Sequence, residues 1–233
     1  MKHMIIPSDT RDLTVQSRID DRGDIVRLVL VAPGGADLPE VTAGAHIDVR
    51  IPVGDALVWR SYSLAGDPGD RSAWHLGILN EAEGRGGSRT LVQTAQGGAV
   101  LATDGPRNHF ALVRGARRSV LIGGGVGITP LLSMGYELAG QGADWSLHYC
   151  TRGPDRAAFG DVLGAAPFAG RTHLHHDGTD SAFDPSMLPA PEAGTHLYIC
   201  GPEGFMDWVI AAVRAQGHAA ANIHQEYFSA VVE

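Results

Sequence analysis

The sequence contains only two cysteines, Cys150 and Cys200, among its 233 residues. Two thiols exclude a disulfide framework, and they exclude any iron–sulfur cluster that needs four cysteine ligands within this chain. Basic residues are also too few for a general nucleic-acid or anionic-membrane binder, because 18 Lys and Arg stand against 26 Asp and Glu, a formal net charge of −8. Free thiols are typical of a reducing compartment, so we expect a cytoplasmic protein.

Long apolar runs are missing as well. The most apolar stretch, residues 119–134, is interrupted by several glycines and by Pro130, and it is shorter than the roughly 20 residues of a membrane-spanning helix. The N-terminus lacks the apolar stretch and cleavage site of a signal peptide, and no internal repeat is found. With 44% apolar residues, the chain is expected to form one large or two small globular domains.

The first half of the chain alternates apolar and polar residues, which is typical of short, half-buried strands. The predicted strands cover 13–19, 25–31, 46–51, 57–64 and 74–79. A short helix is predicted over 88–94, and turns rich in glycine separate the strands. This pattern predicts an antiparallel β-barrel domain over residues 1–113.

The second half alternates short apolar strands with helices. The strands are predicted over 119–123, 145–150, 171–175 and 196–200, and the helices over 130–138, 155–163 and 203–215. Strands that alternate with helices indicate a parallel sheet with crossover connections. We therefore expect an α/β parallel-sheet domain over residues 114–233.

A glycine-rich turn joins the first strand and the first helix of the second half. From Gly123 to Pro130 it reads Gly-Gly-Gly-Val-Gly-Ile-Thr-Pro. Glycines at such a turn let backbone N–H groups approach a pyrophosphate, and the start of the helix favours negative charge. The same pattern is compatible with a tight turn that binds no ligand.

The segment Arg60–Leu64, at the end of a predicted strand, carries groups suited to a phosphate and a flat ring. Arg60 could pair with a phosphate, Tyr62 could lie against a ring, and the Ser63 hydroxyl could bond to a ring nitrogen. Taken alone, the segment also fits an ordinary strand with an exposed arginine.

Two further segments fit anion or ligand binding. In residues 84–90, glycines and Ser88 precede a helix, and Arg85 and Arg89 add positive charge, which fits an anion-binding helix start or an ordinary cap. Residues 200–206 follow a strand at the edge where α/β sheets bind ligands. A buried structural thiol is the favoured interpretation of the cysteine that begins this segment, since no His–Asp pair lies at motif spacing.

In this order, the segments resemble the ferredoxin–NADP reductase superfamily, and most closely its phthalate dioxygenase reductase group, which includes vanillate demethylase reductases. The resemblance covers nearly the whole chain. The matching segments are Arg60-x-Tyr62-Ser63 for the flavin, Gly86-Gly87-Ser88 for the phosphate in the FMN-using branch, Gly123–Pro130 for the nicotinamide nucleotide, His148–Arg152 beside its adenosine half, Cys200-Gly201-Pro202 beside the nicotinamide, and His224–Phe228 as the Glu-x-Phe ending.

The resemblance implies a flavoprotein reductase that passes electrons from NADH through FMN to a 2Fe–2S ferredoxin domain or protein serving an oxygenase. It implies that Ser63, Thr129, Cys200 and Phe228 lie next to the reacting atoms. The residues implied to bind one of the two cofactors are Arg60, Ser61, Tyr62, Ser63, Leu64, Gly77, Ile78, Leu79, Gly86, Gly87, Ser88, Arg89, Gly124, Gly125, Gly127, Thr129, Pro130, Arg152, Cys200, Gly201, Pro202, Phe205, Met206, Glu226 and Phe228.

This sequence departs from the group in one respect. Members usually continue into a ferredoxin-like domain with a 2Fe–2S cluster, whereas this chain stops at Glu233 and has two cysteines. Whether that domain is a separate protein, was removed or is dispensable stays open. Two alternatives stay open too: a reductase that uses NADPH and FAD, and a non-catalytic nucleotide-sensing regulatory module of the same fold.

The remaining expectations concern specificity and partners. FMN is favoured over FAD by Gly86-Gly87-Ser88, and NADH over NADPH by the resemblance, although Arg152, Arg156 and Arg171 offer positive charge for a 2′-phosphate. The run 173–177 contains three histidines and an aspartate, for which a solvated strand end is favoured over a metal site. We expect a monomer with no metal, nucleic-acid or membrane partner.

Overall fold

The computed structural model describes residues 9–81, 84 and 86–228. The first half of this part of the chain consists of strands and one helix. Its elements are β1 (Arg11–Asp20), β2 (Ile25–Val31), β3 (His46–Val53), β4 (Ala56–Ser63), β5 (Trp74–Leu79), α1 (Gly87–Thr94) and β6 (Val100–Arg107). The second half alternates strands and helices. Its elements are β7 (Arg118–Gly124), α2 (Ile128–Gly140), β8 (Trp145–Thr151), α3 (Gly160–Leu163), β9 (Thr172–His176), β10 (Thr195–Gly201), α4 (Glu203–Ala215) and β11 (Ile223–Tyr227).

The strands of the first half form one antiparallel sheet in the order β4-β3-β6-β1-β2-β5. An antiparallel bridge between Leu64 and Leu76 links the outer strands β4 and β5 and closes the sheet into a barrel. Alternate residues fill the interior, as Ile47, Val49 and Ile51 do on β3. Helix α1 packs on the same core. The predicted antiparallel β-barrel is therefore confirmed.

The strands of the second half form a parallel sheet in the order β11-β10-β7-β8-β9. On β7, Leu121 faces the core that contains α2, while Val120 and Ile122 face the core that contains α4. Because helices cover both faces, the central strands are apolar on both sides. The predicted α/β fold with a parallel sheet is confirmed.

Several elements differ from the sequence expectations. The helix predicted over 155–163 is wrong in its first part, because Pro154–Arg156 forms a 3-10 turn and only Gly160–Leu163 is α-helical. Phe159 between them has φ of 60°, which interrupts a right-handed helix. The alternation of apolar and polar residues did not predict strands β6 and β11. In β6, Gly105 and Pro106 are residues typical of turns.

The two halves share a buried interface. Ile25, Ala43 and Ala65 of the first half lie in the same apolar cluster as Leu131 of α2. The chain passes from one sheet to the other between β6 and β7. The division into folding units 1–113 and 114–233 stays a prediction.

Candidate active site between the two sheets

The barrel and the parallel sheet come into direct contact at Gly77 of β5. A Cβ atom at this position would lie 2.6 Å from Cγ2 of Thr129 and 2.8 Å from Cζ of Phe159, so a glycine is needed for both side chains to fit. Thr129 lies in the first turn of α2, and Phe159 precedes α3. The structure thus brings together Gly77 and Thr129, which the sequence assigned to cofactor binding.

The glycine-rich turn lies at the carboxyl end of a central strand. Strand β7 ends at Gly124, and a 3-10 turn over Gly125–Gly127 leads into α2. Thr129 Oγ1 donates a hydrogen bond to the Val126 carbonyl oxygen at 3.0 Å, which fixes the turn. Pro130 is buried in the first helical turn, where its missing N–H costs no hydrogen bond. Open α/β sheets bind ligands at this position.

The end of β10 runs against the same turn. The Cβ atom of an alanine at position 127 would overlap the Cys200 carbonyl oxygen, so the glycine permits a close backbone approach. The ring of Phe205 covers both strand ends, since Cβ atoms at Gly124 and Gly201 would lie 2.8 and 2.9 Å from its Cδ1 atom. The residues predicted on β7 and β10 to bind the nucleotide therefore pack directly against each other.

The Cys200 side chain is fully buried. Burial raises the pKa of this thiol well above its ordinary value, and the neighbouring Glu226 carboxylate acts in the same direction. Burial also raises the pKa of Cys150 to about 12. Neutral, buried thiols are poor nucleophiles, so Cys200 contributes shape and packing rather than covalent chemistry.

Ser63 and Glu226 form a polar contact between the two halves. Ser63 Oγ, at the end of β4, donates to Glu226 Oε2 at 3.4 Å. Glu226 lies on β11 opposite Cys200 of β10. Burial raises the pKa of Glu226 to about 7, and the Ser63 hydrogen bond acts against that rise. Glu226 is thus a carboxyl group that can hold or release a proton near neutral pH.

The start of helix α1 carries the glycines that the sequence predicts to bind a phosphate. Gly86, with φ of 89°, is the N-cap residue and, as a glycine, offers no side chain to cap the first N–H groups. Arg60 lies beside this helix start, with Nε 3.4 Å from the position of a Cβ atom at Gly87. Ser88 is half-buried and Arg89 exposed, whereas Arg85 lies outside the described residues. A guanidinium group beside open helical N–H groups suits a phosphate.

Other predicted residues are placed beside this frame. Tyr62 is half-buried, and burial raises the pKa of its hydroxyl to about 12. Ser61 Oγ donates to Asp48 Oδ1 at 2.5 Å on the outer face of the barrel. The side chains of three predicted residues lie in hydrophobic cores: Leu64, Ile78 and Met206. These residues can therefore offer a ligand only their backbone atoms. Leu79 is partly buried at the interface of the halves.

Three predicted residues lie at the margin of the site. Arg152 is exposed directly after β8, and Pro202 is exposed at the start of α4. Phe228 follows β11 and is 46% exposed. The neighbouring Tyr227 hydroxyl donates to Asp207 Oδ1 at 2.9 Å, which ties the end of β11 to α4. Phe228 is therefore positioned by this strand end next to Glu226.

Sequence reasoning missed two aromatic contributions. Trp208 of α4 is 47% exposed and continues the ring cluster of Phe205 and Phe183, with ring centroids 6.3 and 5.9 Å away. The spacing of Phe205 and Trp208, three residues apart on a helix, could have indicated a shared face. Phe159 had no such signal, because the pattern placed it inside a helix.

The histidines of residues 173–177 lie on strand β9, and one of them is buried. His175 is buried, so the expectation of a solvated strand end is wrong for this residue. Its Nδ1 donates to the Ser181 carbonyl oxygen at 3.0 Å, and its Nε2 lies 3.0 Å from His148 Nδ1, which donates when both rings are neutral. Within residues 9–81, 84 and 86–228, no group of three potential ligands is arranged to hold a metal ion.

No family model matches the chain. Vanillate O-demethylase oxidoreductase from Pseudomonas putida is 45% identical over 221 residues, covering 94% of this chain and 69% of that protein. Carnitine monooxygenase reductase subunit from Escherichia coli is 40% identical over 206 residues, covering 88% of this chain and 64% of that protein. The chain thus spans about two thirds of the length of these relatives.

A solved phthalate dioxygenase reductase superposes with a TM-score of 0.87 at 33% identity, over 96% of this chain and 70% of that one. That protein is described as a modular structure for electron transfer from pyridine nucleotides to 2Fe–2S. The fold and the site therefore define a ferredoxin-reductase-like oxidoreductase. The chain belongs to the family of oxygenase reductases that contains vanillate O-demethylase oxidoreductase and phthalate dioxygenase reductase, as the sequence resemblance predicted.

The described part of the chain contains no helix that combines the length and the hydropathy needed to cross a membrane.

Proposed function

We propose that this protein is an NADH-dependent FMN reductase that delivers electrons to a 2Fe–2S ferredoxin domain or protein serving an oxygenase. The observation that carries the proposal is the contact of Gly77 with Thr129. This contact joins the barrel to the start of α2, the helix that follows the glycine-rich turn. The family supports it, since relatives are named as reductases of oxygenase systems.

The chemistry explains why a flavin suits this position. A bound flavin accepts a hydride from a nicotinamide and passes electrons on singly, which an iron–sulfur acceptor requires. The residues of this chain fit its two ends. Arg60 and the start of α1 would hold the phosphate, with Ser88 and Arg89 adding a hydroxyl and a charge. Tyr62 and Ser63 would contact the ring.

The choice of FMN rests on Gly86-Gly87-Ser88 at the start of α1, which resembles the phosphate-binding segment of the FMN-using branch. The choice of NADH is supported by the positions of Arg156 and Arg171, two of the three arginines that could meet a 2′-phosphate. Arg156 pairs with Asp24 at 2.9 Å, and Arg171 donates to the Trp145 carbonyl oxygen at 3.2 Å. Arg156 thus pairs with the barrel, and Arg171 lies beside the start of β8, at the opposite edge of the sheet from the glycine-rich turn.

The chain's own residues then orient the nicotinamide and control protons. Thr129 and the Cys200 backbone would line the nicotinamide pocket, with Phe205 covering the strand ends. Glu226, whose pKa is raised by burial to about 7, would hold a proton within reach of Ser63 Oγ. Phe228 would cover the flavin face and would have to shift when the nicotinamide docks.

The proposal extends to location and partners. Two buried free thiols fit a cytoplasmic protein. We expect a monomer whose electron acceptor is the ferredoxin domain or an oxygenase component, and neither nucleic acid nor a membrane as a partner.

The test is NADH-dependent reduction of ferricyanide by the protein supplied with FMN or with FAD. We expect activity with NADH and FMN, and weaker activity with FAD or NADPH. Arg60→Ala should weaken FMN binding at least about tenfold, since a hydrogen bond to a charged group contributes about 1.5–3 kcal/mol. Arg50→Ala is the matched control, because Arg50 lies over the Trp59 ring on the outer face of the same strand pair.

Each other outcome corrects a different part. Preference for FAD or NADPH would replace that cofactor in the proposal. A bound flavin that neither nucleotide reduces would favour the regulatory module. Failure to bind either flavin would refute the proposal.

A further inference from the structure

We propose that Asp21, Arg27 and Asp161 form a positioning clasp that fixes the parallel sheet against the barrel at the contact where the two cofactors would meet. The inference rests on the proposed function and deepens it. None of the three residues belongs to the predicted cofactor site. They are positioning residues, and they act through Phe159.

The clasp begins in the turn between β1 and β2. Asp21 Oδ2 accepts a hydrogen bond from the Phe159 backbone N–H at 2.8 Å, so a barrel side chain holds the backbone of the other half. The same oxygen lies 3.0 Å from Arg27 Nε on β2. Asp21 and Arg27 are nearly buried, with side chains 14% and 13% exposed.

Arg27 extends the clasp to α3. Its two terminal nitrogens meet both carboxylate oxygens of Asp161, Nη1 at 2.8 Å and Nη2 at 3.1 Å. This fork geometry requires arginine, because lysine offers one nitrogen and cannot bind a carboxylate in this way. One guanidinium group therefore joins a carboxylate of each half.

The clasp holds an unusual backbone conformation. Phe159 has φ of 60° and ψ of 24°, a left-handed conformation that is rare for a bulky residue and persists where its surroundings enforce it. The Arg27 guanidinium carbon lies 5.1 Å from the centre of the Phe159 ring. A hydrogen bond to Asp21 and a cation–π contact with Arg27 thus hold Phe159, and the ion pair between Asp21 and Arg27 holds these two partners together.

Phe159 transmits this constraint to the site. The tip of its ring packs against Gly77, the same glycine that Thr129 touches. Loosening Phe159 would let the start of α2 shift relative to β5. Hydride transfer is steep in distance, and a misplacement of about 1 Å can lower its rate by about a hundredfold. We infer that the clasp sets this distance.

The test uses Arg27→Lys and Asp21→Asn in the FMN-loaded protein. Arg27→Lys keeps the charge and loses the fork, whereas Asp21→Asn keeps an acceptor for the Phe159 N–H and loses the charge. The matched control is Glu192→Gln, which removes an exposed carboxylate paired with Arg117 inside the second half. Anaerobic stopped-flow reduction by NADH gives the nucleotide affinity and the limiting rate separately.

A second readout does not depend on cofactors. Hydrogen–deuterium exchange of the flavin-free protein, followed by mass spectrometry, reports protection of residues 154–163 and 20–27. We expect both clasp variants to exchange faster in these two segments and not in α4.

The supporting result is a limiting rate reduced by about fivefold or more, with NADH and FMN affinities within about twofold of the parent. A smaller reduction in rate, or exchange identical to that of the parent, would overturn the clasp. The clasp would also be overturned if saturating FMN restored the rate of the variants, because the residues would then act by retaining the flavin. If the parent itself is not reduced by NADH, the proposed function fails, and exchange still reports whether the contact holds the segments together.

Discussion

Replacing Glu226 by glutamine tests the electrostatics of the candidate site. Burial raises the pKa of Glu226 from its ordinary 4.5 to about 7. The folded protein therefore binds a proton that the unfolded chain releases over this interval. The stability that this carboxyl group contributes is fully present below the unfolded pKa, and it is lost as the pH rises through the folded pKa.

The magnitude follows from the two pKa values. A difference of one pKa unit corresponds to about 1.4 kcal/mol, so the shift from 4.5 to about 7 lowers the free energy of unfolding by at most about 3.5 kcal/mol between about pH 4.5 and 8. Glutamine keeps the shape and stays neutral. The gap between the Glu226→Gln variant and the parent should therefore grow in favour of the variant as the pH rises.

Urea unfolding of both proteins at several pH values from about 5 to 8 measures this gap. Glu192→Gln controls for the loss of a carboxylate at an exposed position. A gap that does not change with pH would refute the assignment of Glu226 as a half-buried, proton-holding carboxyl group.

Two further substitutions test the packing around the site, and a third tests how a buried histidine affects stability at low pH. Gly77→Ala places a methyl group 2.6 Å from Thr129 Cγ2, so we expect a loss of about 1–3 kcal/mol in urea unfolding, and an unchanged stability would contradict the close contact. Gly127→Ala would press on the Cys200 carbonyl oxygen, and its NADH dissociation constant should rise while FMN binding stays near that of the parent. Burial lowers the pKa of His148 to about 3, so the folded protein loses stability as the pH falls below about 6.5. His148→Phe should flatten this acid limb in urea unfolding, and an acid limb as steep as that of the parent would show that His148 does not cause it.

Much of the fold could be predicted because its patterns are local. Alternation in residues 46–51 reflects a strand with one buried face, and the apolar run 119–123 reflects a strand covered on both faces. The glycine-rich turn could also be predicted from a local pattern. A glycine is needed at position 127 because the Cys200 backbone approaches closely there and a side chain would block it.

The features that the sequence did not predict depend on contacts between residues that are distant in sequence. Strand β6 carries turn residues and is held in the sheet by β1 and β3. The predicted helix over 155–163 breaks at Phe159, whose backbone N–H donates a hydrogen bond to Asp21 and which adopts a left-handed conformation. The raised pKa of Glu226 likewise arises from burial between β10 and the barrel. No local pattern encodes these effects.

The most direct measurement is an anaerobic absorbance spectrum of the FMN-loaded protein before and after one equivalent of NADH. The account predicts that the flavin absorbance bleaches, because Thr129 and Gly77 bring the nucleotide helix and the barrel together. Flavin absorbance that stays unchanged after the addition of NADH would contradict the central claim.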